Sequence, residues 1–213
     1  MRVLSLDQRS DAWRQARCGM LCASDAADMI GRIKTGEAAA RRDLRLRLVV
    51  ERLTNQPQDN SFVSPAMEWG IEHEAEARLA YESLTGNLVN EVGFVAHDEL
   101  ACGCSPDGEI GGFKTLLEIK APKSSTHLSY LRGRKVPSTY VPQMTHQLFV
   151  TGAQAVEIFS YDPRMPLGLQ TFWATLTRAD VDLAAWELLV RQFITEVERE
   201  VDEVRALADL VNV

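Results

Sequence analysis

The chain has 213 residues, 46% of them hydrophobic, with a mean hydropathy of −0.15 and a formal net charge of −7. That length and apolar content suit one folded domain with appended helices and exclude a disordered chain. No apolar run approaches membrane-spanning length, and the start, Met1–Arg9, is too short and too charged for a secretory leader, so a cytoplasmic location is expected.

In chain order, Ser10–Arg17 reads as a short helix capped by Ser10, and Ser24 as the N-cap of a second one over Asp25–Ile30, stopped by Gly31. A longer helix is expected over Thr35–Leu53, where Leu44, Leu48, Val49 and Leu53 recur near the helical period. Residues 54–65 are polar, hold Pro57 and Pro65, and read as a mobile loop. Ala66–Leu84 is the next helix, with Trp69, His73, Ala77 and Ala80 on one face and Gly86 beyond its end. Strands are expected at Asn90–His97, Leu100–Ser105 and Leu116–Lys120, followed by a helix at Ser124–Leu131 and a loop over Gly133–Pro137. A helix over Pro142–Thr151 can open on its proline. Strands at Val156–Tyr161 and Leu169–Leu176 precede an acidic helix over Arg178–Leu210. Helices, a strand hairpin and further strands in this order make a mixed α/β pattern, with helices at 10–53 and 178–210 packed on a core.

The negative sum hides an uneven distribution. Seven basic residues face three acids between Arg32 and Arg52, and six face one between Lys114 and Lys135. From Leu176 onward four basic residues face nine acids. A basic working surface with an acidic rear fits a nucleic-acid enzyme. Arg41, Arg42 and Arg45 are then candidates for contacting DNA; a solvated helix face is the alternative for that run. The cysteine pairs Cys18/Cys22 and Cys102/Cys104 lack the spacing and histidine partners of a zinc site and are expected to be reduced thiols.

Chemistry concentrates in the middle of the chain. Ser105-Pro106-Asp107-Gly108 is followed by Gly111-Gly112, a turn signal, and then by Leu116-Leu117-Glu118-Ile119-Lys120. A hairpin there returns Glu118 toward Asp107, and strand alternation puts Glu118 and Lys120 on one face with Leu117 and Ile119 toward a core. Two carboxylates and an ammonium at one hairpin end suit Mg²⁺-assisted phosphodiester hydrolysis: carboxylates are hard oxygen ligands, and a lysine beside the metal orients water and offsets phosphate charge. A turn aspartate and a solvated E-x-K ion pair are the plain alternative.

The neighbourhood carries more. The segments Met67–Arg78, Ala101–Gly108, Leu117–Pro122, Tyr140–Gln143, Val150–Gly152 and Tyr161–Met165 resemble, in order and spacing, the lambda-exonuclease-like (YqaJ-like) viral recombination nucleases of the PD-(D/E)xK superfamily. The resemblance runs from Asp11-Ala12-Trp13 to about Phe172. It implies a restriction-endonuclease-like core, a central mixed β-sheet flanked by helices. It implies that Asp107, Glu118 and the Ile119 carbonyl hold Mg²⁺, with Mn²⁺ able to substitute and two ions about 4 Å apart. Lys120 would position or activate the water, Glu74 would support the metal, and Gln143 would bond the water or the scissile phosphate. Without the resemblance, Glu74 reads as a surface partner of Arg78. Arg17 and Ser24 match a 5′-phosphate pocket, and Met67 an apolar wedge that parts the strands.

The resemblance also implies a homotrimer around DNA, a single-strand annealing protein as partner, and a phage or prophage setting in a bacterial host. The activity so implied is Mg²⁺-dependent 5′-to-3′ digestion of one strand of linear duplex DNA, leaving 3′ overhangs for recombination. Another PD-(D/E)xK enzyme, an endonuclease or helicase-associated nuclease, is the alternative. A non-catalytic DNA-binding module is the alternative of another class. Among the histidines, His146 lies one helical turn past Gln143 and is a candidate to line the site.

Overall fold

The computed structural model describes residues 1–58 and 64–211. Two mixed four-stranded sheets meet at the segment Ser105-Pro106-Asp107. The first runs β1 (Arg2–Leu4), β3 (Phe94–Ala96), β4 (Cys102–Cys104), β2 (Leu21–Cys22). The second runs β5 (Gly108–Ile110), β6 (Thr115–Lys120), β7 (Ala155–Tyr161), β8 (Thr171–Thr177). The expected central mixed sheet is the second of these, and a further mixed sheet lies beside it. Pro106 has no N–H to give a ladder, so pairing stops between β4 and β5.

The expected hairpin forms. Gly111 and Gly112 have φ of +67° and +70°, a conformation glycine reaches without steric cost, and Gly108 pairs with Leu117 across the ladder. β6 then runs parallel to β7, with Glu118 opposite Ile158. Both faces of β6 are covered, unlike the one-sided strand read from sequence. Leu117 and Ile119 pack with Ala77, Tyr81 and Phe159, on the side of α4 (Pro65–Thr85). Leu116 packs with Met144 and Leu148 of α6 (Val141–Thr151) on the other side. Glu118 shares the Leu116 face, so its carboxylate is carried beneath α6 rather than into solvent.

The helices differ from expectation mainly at their ends. The first, α1 (Asp11–Arg17), is capped as expected: the Ser10 hydroxyl accepts from the Trp13 N–H at 3.2 Å. Ser24 does not cap α2 (Ala26–Met29); it lies within a 3₁₀ turn over Ala23–Asp25, where Asp25 accepts from the Cys22 N–H at 3.1 Å. α3 (Ala39–Thr54) starts four residues late, because Gly36 at φ +87° and the Arg32–Glu37 bridge hold the preceding residues in a turn. The loop expected over 54–65 falls partly on residues 59–63, which lie outside the described residues. α4 is capped by Ser64 and ends at Gly86, φ +72°. α5 covers Ser124–Gly133, and α7, Leu183–Val211, follows a 3₁₀ turn at Arg178–Asp180.

Trp186, Val190, Phe193, Val197 and Val201 of α7 pack against Leu44, Leu48 and Val49 of α3 and Leu21 of β2. Such a side chain contributes roughly 1.5–3 kcal/mol when fully buried. The same contact brings opposite charges together. Arg41 donates to Glu196 at 2.7 Å, and Arg45 pairs with Glu37 at 2.9 Å and with Glu200. Much of the basic stretch of α3 is therefore matched by the acidic helix, not arrayed opposite it.

Candidate active site

The hairpin and the start of α6 build one charged cluster. Asp107 leaves β4 through Pro106, and its Oδ2 accepts the Ile119 N–H at 2.6 Å, just past the last rung of the hairpin. Glu118 is 2% exposed. Its Oε1 accepts from Gln143 Nε2 at 2.6 Å and from the Lys120 ammonium, and its Oε2 accepts from Gln147 Nε2 at 2.6 Å. Gln143 and Gln147 are four residues apart on α6, so one helix face presents both amides to one carboxylate. Lys120 Nζ also lies 5.2 Å from the centre of the Tyr140 ring.

Burial, and then the charge of Glu118, push the Asp107 carboxyl up to about 8. Burial works to lower the Lys120 ammonium, but the charges of Glu118 and Asp107 outweigh it and hold Lys120 above the usual lysine range. Lys120 is thus a fixed positive charge in the absence of a metal.

Glu74 comes from α4 and meets the same cleft. It accepts from Arg78 at 3.3 Å, the pair read from its sequence spacing, and from Arg9 Nη2 at 2.6 Å. The cleft has a volume of roughly 660 Å³; Asp107, Ile119 and Lys120 line it together with Glu74, Met67 and Trp69. Met67 is 55% exposed on its rim. The Arg164 guanidinium lies 4.3 Å over the Trp69 ring and donates to the Pro122 carbonyl at 2.8 Å.

Two carboxylates whose like charges oppose each other in a buried setting suit a hard divalent cation, which would relieve that repulsion. The donor set is all oxygen, consistent with Mg²⁺ or Mn²⁺ and unlike the thiolate or imidazole sets that select zinc. Among the described residues no three His, Cys, Asp or Glu side chains form a metal cluster. Beyond Asp107 and Glu118, the Ile119 carbonyl and water would have to complete the shell.

The remaining candidates are distributed as follows. Arg17 and Ser24 come together: Nη2 lies 3.4 Å from the Ser24 hydroxyl, with the guanidinium 3.9 Å over the Trp13 ring. Ser24 is exposed because Asp25, not Ser24, satisfies the turn. Arg41, Arg42 and Arg45 do not line the cleft; Arg42 pairs with Asp43 at 2.7 Å and is the most exposed of the three. His146 is fully buried, accepting from Trp186 Nε1 at 3.3 Å, so it packs behind the site rather than lining it. All four cysteines are free thiols. Gln147 and Arg9 join the site without having stood out in the sequence: the i+4 spacing of Gln147 from Gln143 is a visible signal, and Arg9 carries none.

A family model for the YqaJ-like viral recombinase domain matches residues 12–154. An alkaline exonuclease, LHK-Exo, from Laribacter hongkongensis is similar at 34% identity and TM-score 0.84, with 95% of this chain and 100% of that chain covered. A crystal structure of LHK-Exo in complex with dAMP gives 33% identity and TM-score 0.86 over the same shares. A phage-related exonuclease from Haemophilus somnus shares the fold at TM-score 0.64 and 10% identity, covering 89% of this chain and 96% of that one. No curated protein matches the chain.

Proposed function

The chain belongs to the YqaJ-like viral recombinase family, and from that premise we propose that it is a Mg²⁺-dependent 5′-to-3′ exonuclease acting on linear duplex DNA. The observation that carries this proposal is that Asp107 and Lys120 line one open cleft while the buried Glu118 carboxylate accepts from both Lys120 and Gln143. The exonuclease relatives support nuclease chemistry; polarity and product rest on the family resemblance.

Asp107, Glu118 and the Ile119 carbonyl would hold the metal, and Gln147 and Gln143 fix the Glu118 carboxylate while it does so. A metal held there would supply Lewis-acid stabilisation of the phosphate and a lowered pKa for a bound water. Lys120 presents its amino group beside Glu118, where it would orient the attacking water and, as an ammonium, offset charge gathering on the phosphate. Gln143, which donates to the same Glu118 oxygen as Lys120, would bond the water or the scissile phosphate when substrate binds. The water oxygen bonds to phosphorus and gives up a proton to solvent, the P–O bond to the 3′ oxygen breaks, and that oxygen takes up a proton from solvent. The product is a 5′-mononucleotide and a new 5′-phosphate end.

Arg17 and Ser24 would receive that end, since a guanidinium fork and a hydroxyl together suit a terminal phosphate. Met67, apolar and exposed at the rim, would insert at the parting base pair. A trimer around DNA and a single-strand annealing partner, giving 3′ overhangs for recombination in a bacterial host, complete the proposal. Asp107→Ala or Glu118→Ala should abolish digestion of linear duplex while leaving duplex binding intact. Substantial Mg²⁺-dependent digestion by either variant would remove the assignment.

A further inference from the structure

We propose that Arg9 is a substrate-strand contact of the cleft, exchanging its ion pair with Glu74 for a phosphate oxygen of the bound DNA. The proposal rests on the nuclease reading above and adds a residue to it.

Arg9 is one of four non-glycine residues with left-handed backbone among the described residues, with Asn55, Phe113 and Arg134, and the one of them that lines the cleft. It has φ +70°, the left-handed region that L side chains rarely adopt. The turn Asp7-Gln8-Arg9-Ser10 is closed by the Ser10 N–H donating to the Asp7 carbonyl at 3.1 Å, and Ser10 then caps α1. A glycine would make that turn without strain. Strained residues persist where the surroundings over-determine them, and they cluster at functional sites.

The surroundings here are explicit. The Gln8 amide donates to the Val92 carbonyl at 2.7 Å and to the Pro106 carbonyl at 3.1 Å. Pro106 immediately precedes Asp107, so the turn that carries Arg9 is fastened to the loop that carries a proposed metal ligand. The Gln8 bonds therefore fix the starting point of the Arg9 side chain relative to Asp107.

The side chain ends where a phosphate would lie. It lines the cleft with Asp107 and Lys120, and it also lines a second groove of roughly 480 Å³ on the other side of Asp107 and Glu74. Arg9 thus stands at the junction of the two grooves. Its Nη2 donates to Glu74 at 2.6 Å, yet its side chain remains 46% exposed. Glu74 has a second cation, Arg78, 3.3 Å away, so it keeps a partner when Arg9 turns away. A half-exposed ion pair is worth little in stability, so it does not by itself account for a strained arginine. A planar fork with spare donors beside carboxylates that would hold a metal is suited to a non-bridging phosphate oxygen.

The test compares Arg9→Gly and Arg9→Lys with the wild-type full chain. Glycine relieves the left-handed strain and removes the charge; lysine keeps the charge and loses the fork. Each is measured for thermal midpoint and for binding to a linear duplex by fluorescence anisotropy in EDTA, across a range of salt. We expect Arg9→Gly to unfold within about 3 °C of wild type, because relief of strain offsets the lost pair. Its affinity for duplex should fall roughly tenfold, with the slope of log K against log salt reduced by about one. Arg9→Lys should keep the wild-type slope. If Arg9→Gly binds duplex with unchanged affinity and slope, or if its midpoint falls by much more than 3 °C, Arg9 is a structural partner of Glu74 and the proposal fails. Wild-type protein that neither binds nor digests duplex would instead overturn the nuclease reading itself.

Discussion

Gln147→Leu isolates what the buried amide does for Glu118. Gln147 is fully buried, its Nε2 donates to Glu118 Oε2 at 2.6 Å, and its own Oε1 has no hydrogen-bond partner. Losing a hydrogen bond to a charged group costs about 1.5–3 kcal/mol. Removing a buried carbonyl without a partner returns about 1–2 kcal/mol, and leucine fills much of the same space. The net change is a loss of about 1 kcal/mol, which lowers the thermal midpoint by roughly 2–4 °C for a chain of this size. The effect on the site is larger, because Glu118 retains donors on only one oxygen, from Gln143 and Lys120. Loss of a residue that orients a ligand typically weakens metal affinity by about 10–100-fold. The assay is a Mg²⁺ titration of duplex digestion, beside a thermal melt of the same preparations. A half-saturating Mg²⁺ concentration at least about tenfold higher is expected, with the fold retained. Wild-type Mg²⁺ dependence and rate in Gln147→Leu would show that the amide only fills space.

The other predictions are read in the same preparations. Lys120→Ala should slow cleavage by about 10²–10³-fold while duplex binding persists, and Lys120→Arg should not restore it, because the bulkier fork cannot occupy the ammonium's place beside Glu118; near wild-type turnover in Lys120→Ala would make this lysine a plain ion-pair partner. Wild-type protein should digest 5′-phosphorylated ends faster than 5′-hydroxyl ends, and Arg17→Ala should lose roughly tenfold of that preference; equal wild-type rates on both ends would remove the phosphate pocket. Met67→Ala should digest duplex more slowly at unchanged stability, and a wild-type rate would remove the wedge. Burial lowers the His146 pKa to about 3, below the ordinary value of about 6.5. The unfolded chain therefore binds the proton first on acidification, and stability from this group is full above about pH 6.5 and lost as pH falls toward 3. Between pH 7 and pH 5 that loss is about 2 kcal/mol, so His146→Leu should flatten the decline of the thermal midpoint over that range, and an unchanged decline would refute the assignment.

The hairpin was legible because its signals are local: two glycines that take left-handed backbone, flanked by alternating apolar residues. The helices were legible for the same reason, the longer ones through periodicity, and α1 and α4 also through Ser10 and Gly86 at their ends. β1 and β2, three and two residues long, are too short to show a period and exist only because β3 and β4 pair with them. The late start of α3 depends on a turn at Gly36 that helix propensity overrides on paper. Arg41 and Arg45 looked like a basic surface because their partners Glu196 and Glu200 lie 155 positions away in the chain. Glu118 and its two amides show the same limit at the site. The spacing of Gln143 and Gln147 is visible in sequence, but only the packing of α6 over β6 gives it a carboxylate to hold. Arg9 gave no signal at all, since an arginine does not announce a positive φ.

The central claim is tested most directly by digesting one linear duplex in Mg²⁺, labelled in separate reactions at the 5′ and at the 3′ end of the same strand, with closed circular DNA alongside. The account predicts early release of the 5′ label as a mononucleotide, late retention of the 3′ label on shortened single strands, no digestion of closed circles, and none in EDTA. Early release of the 3′ label, cutting of closed circles, or undiminished digestion in EDTA would contradict it.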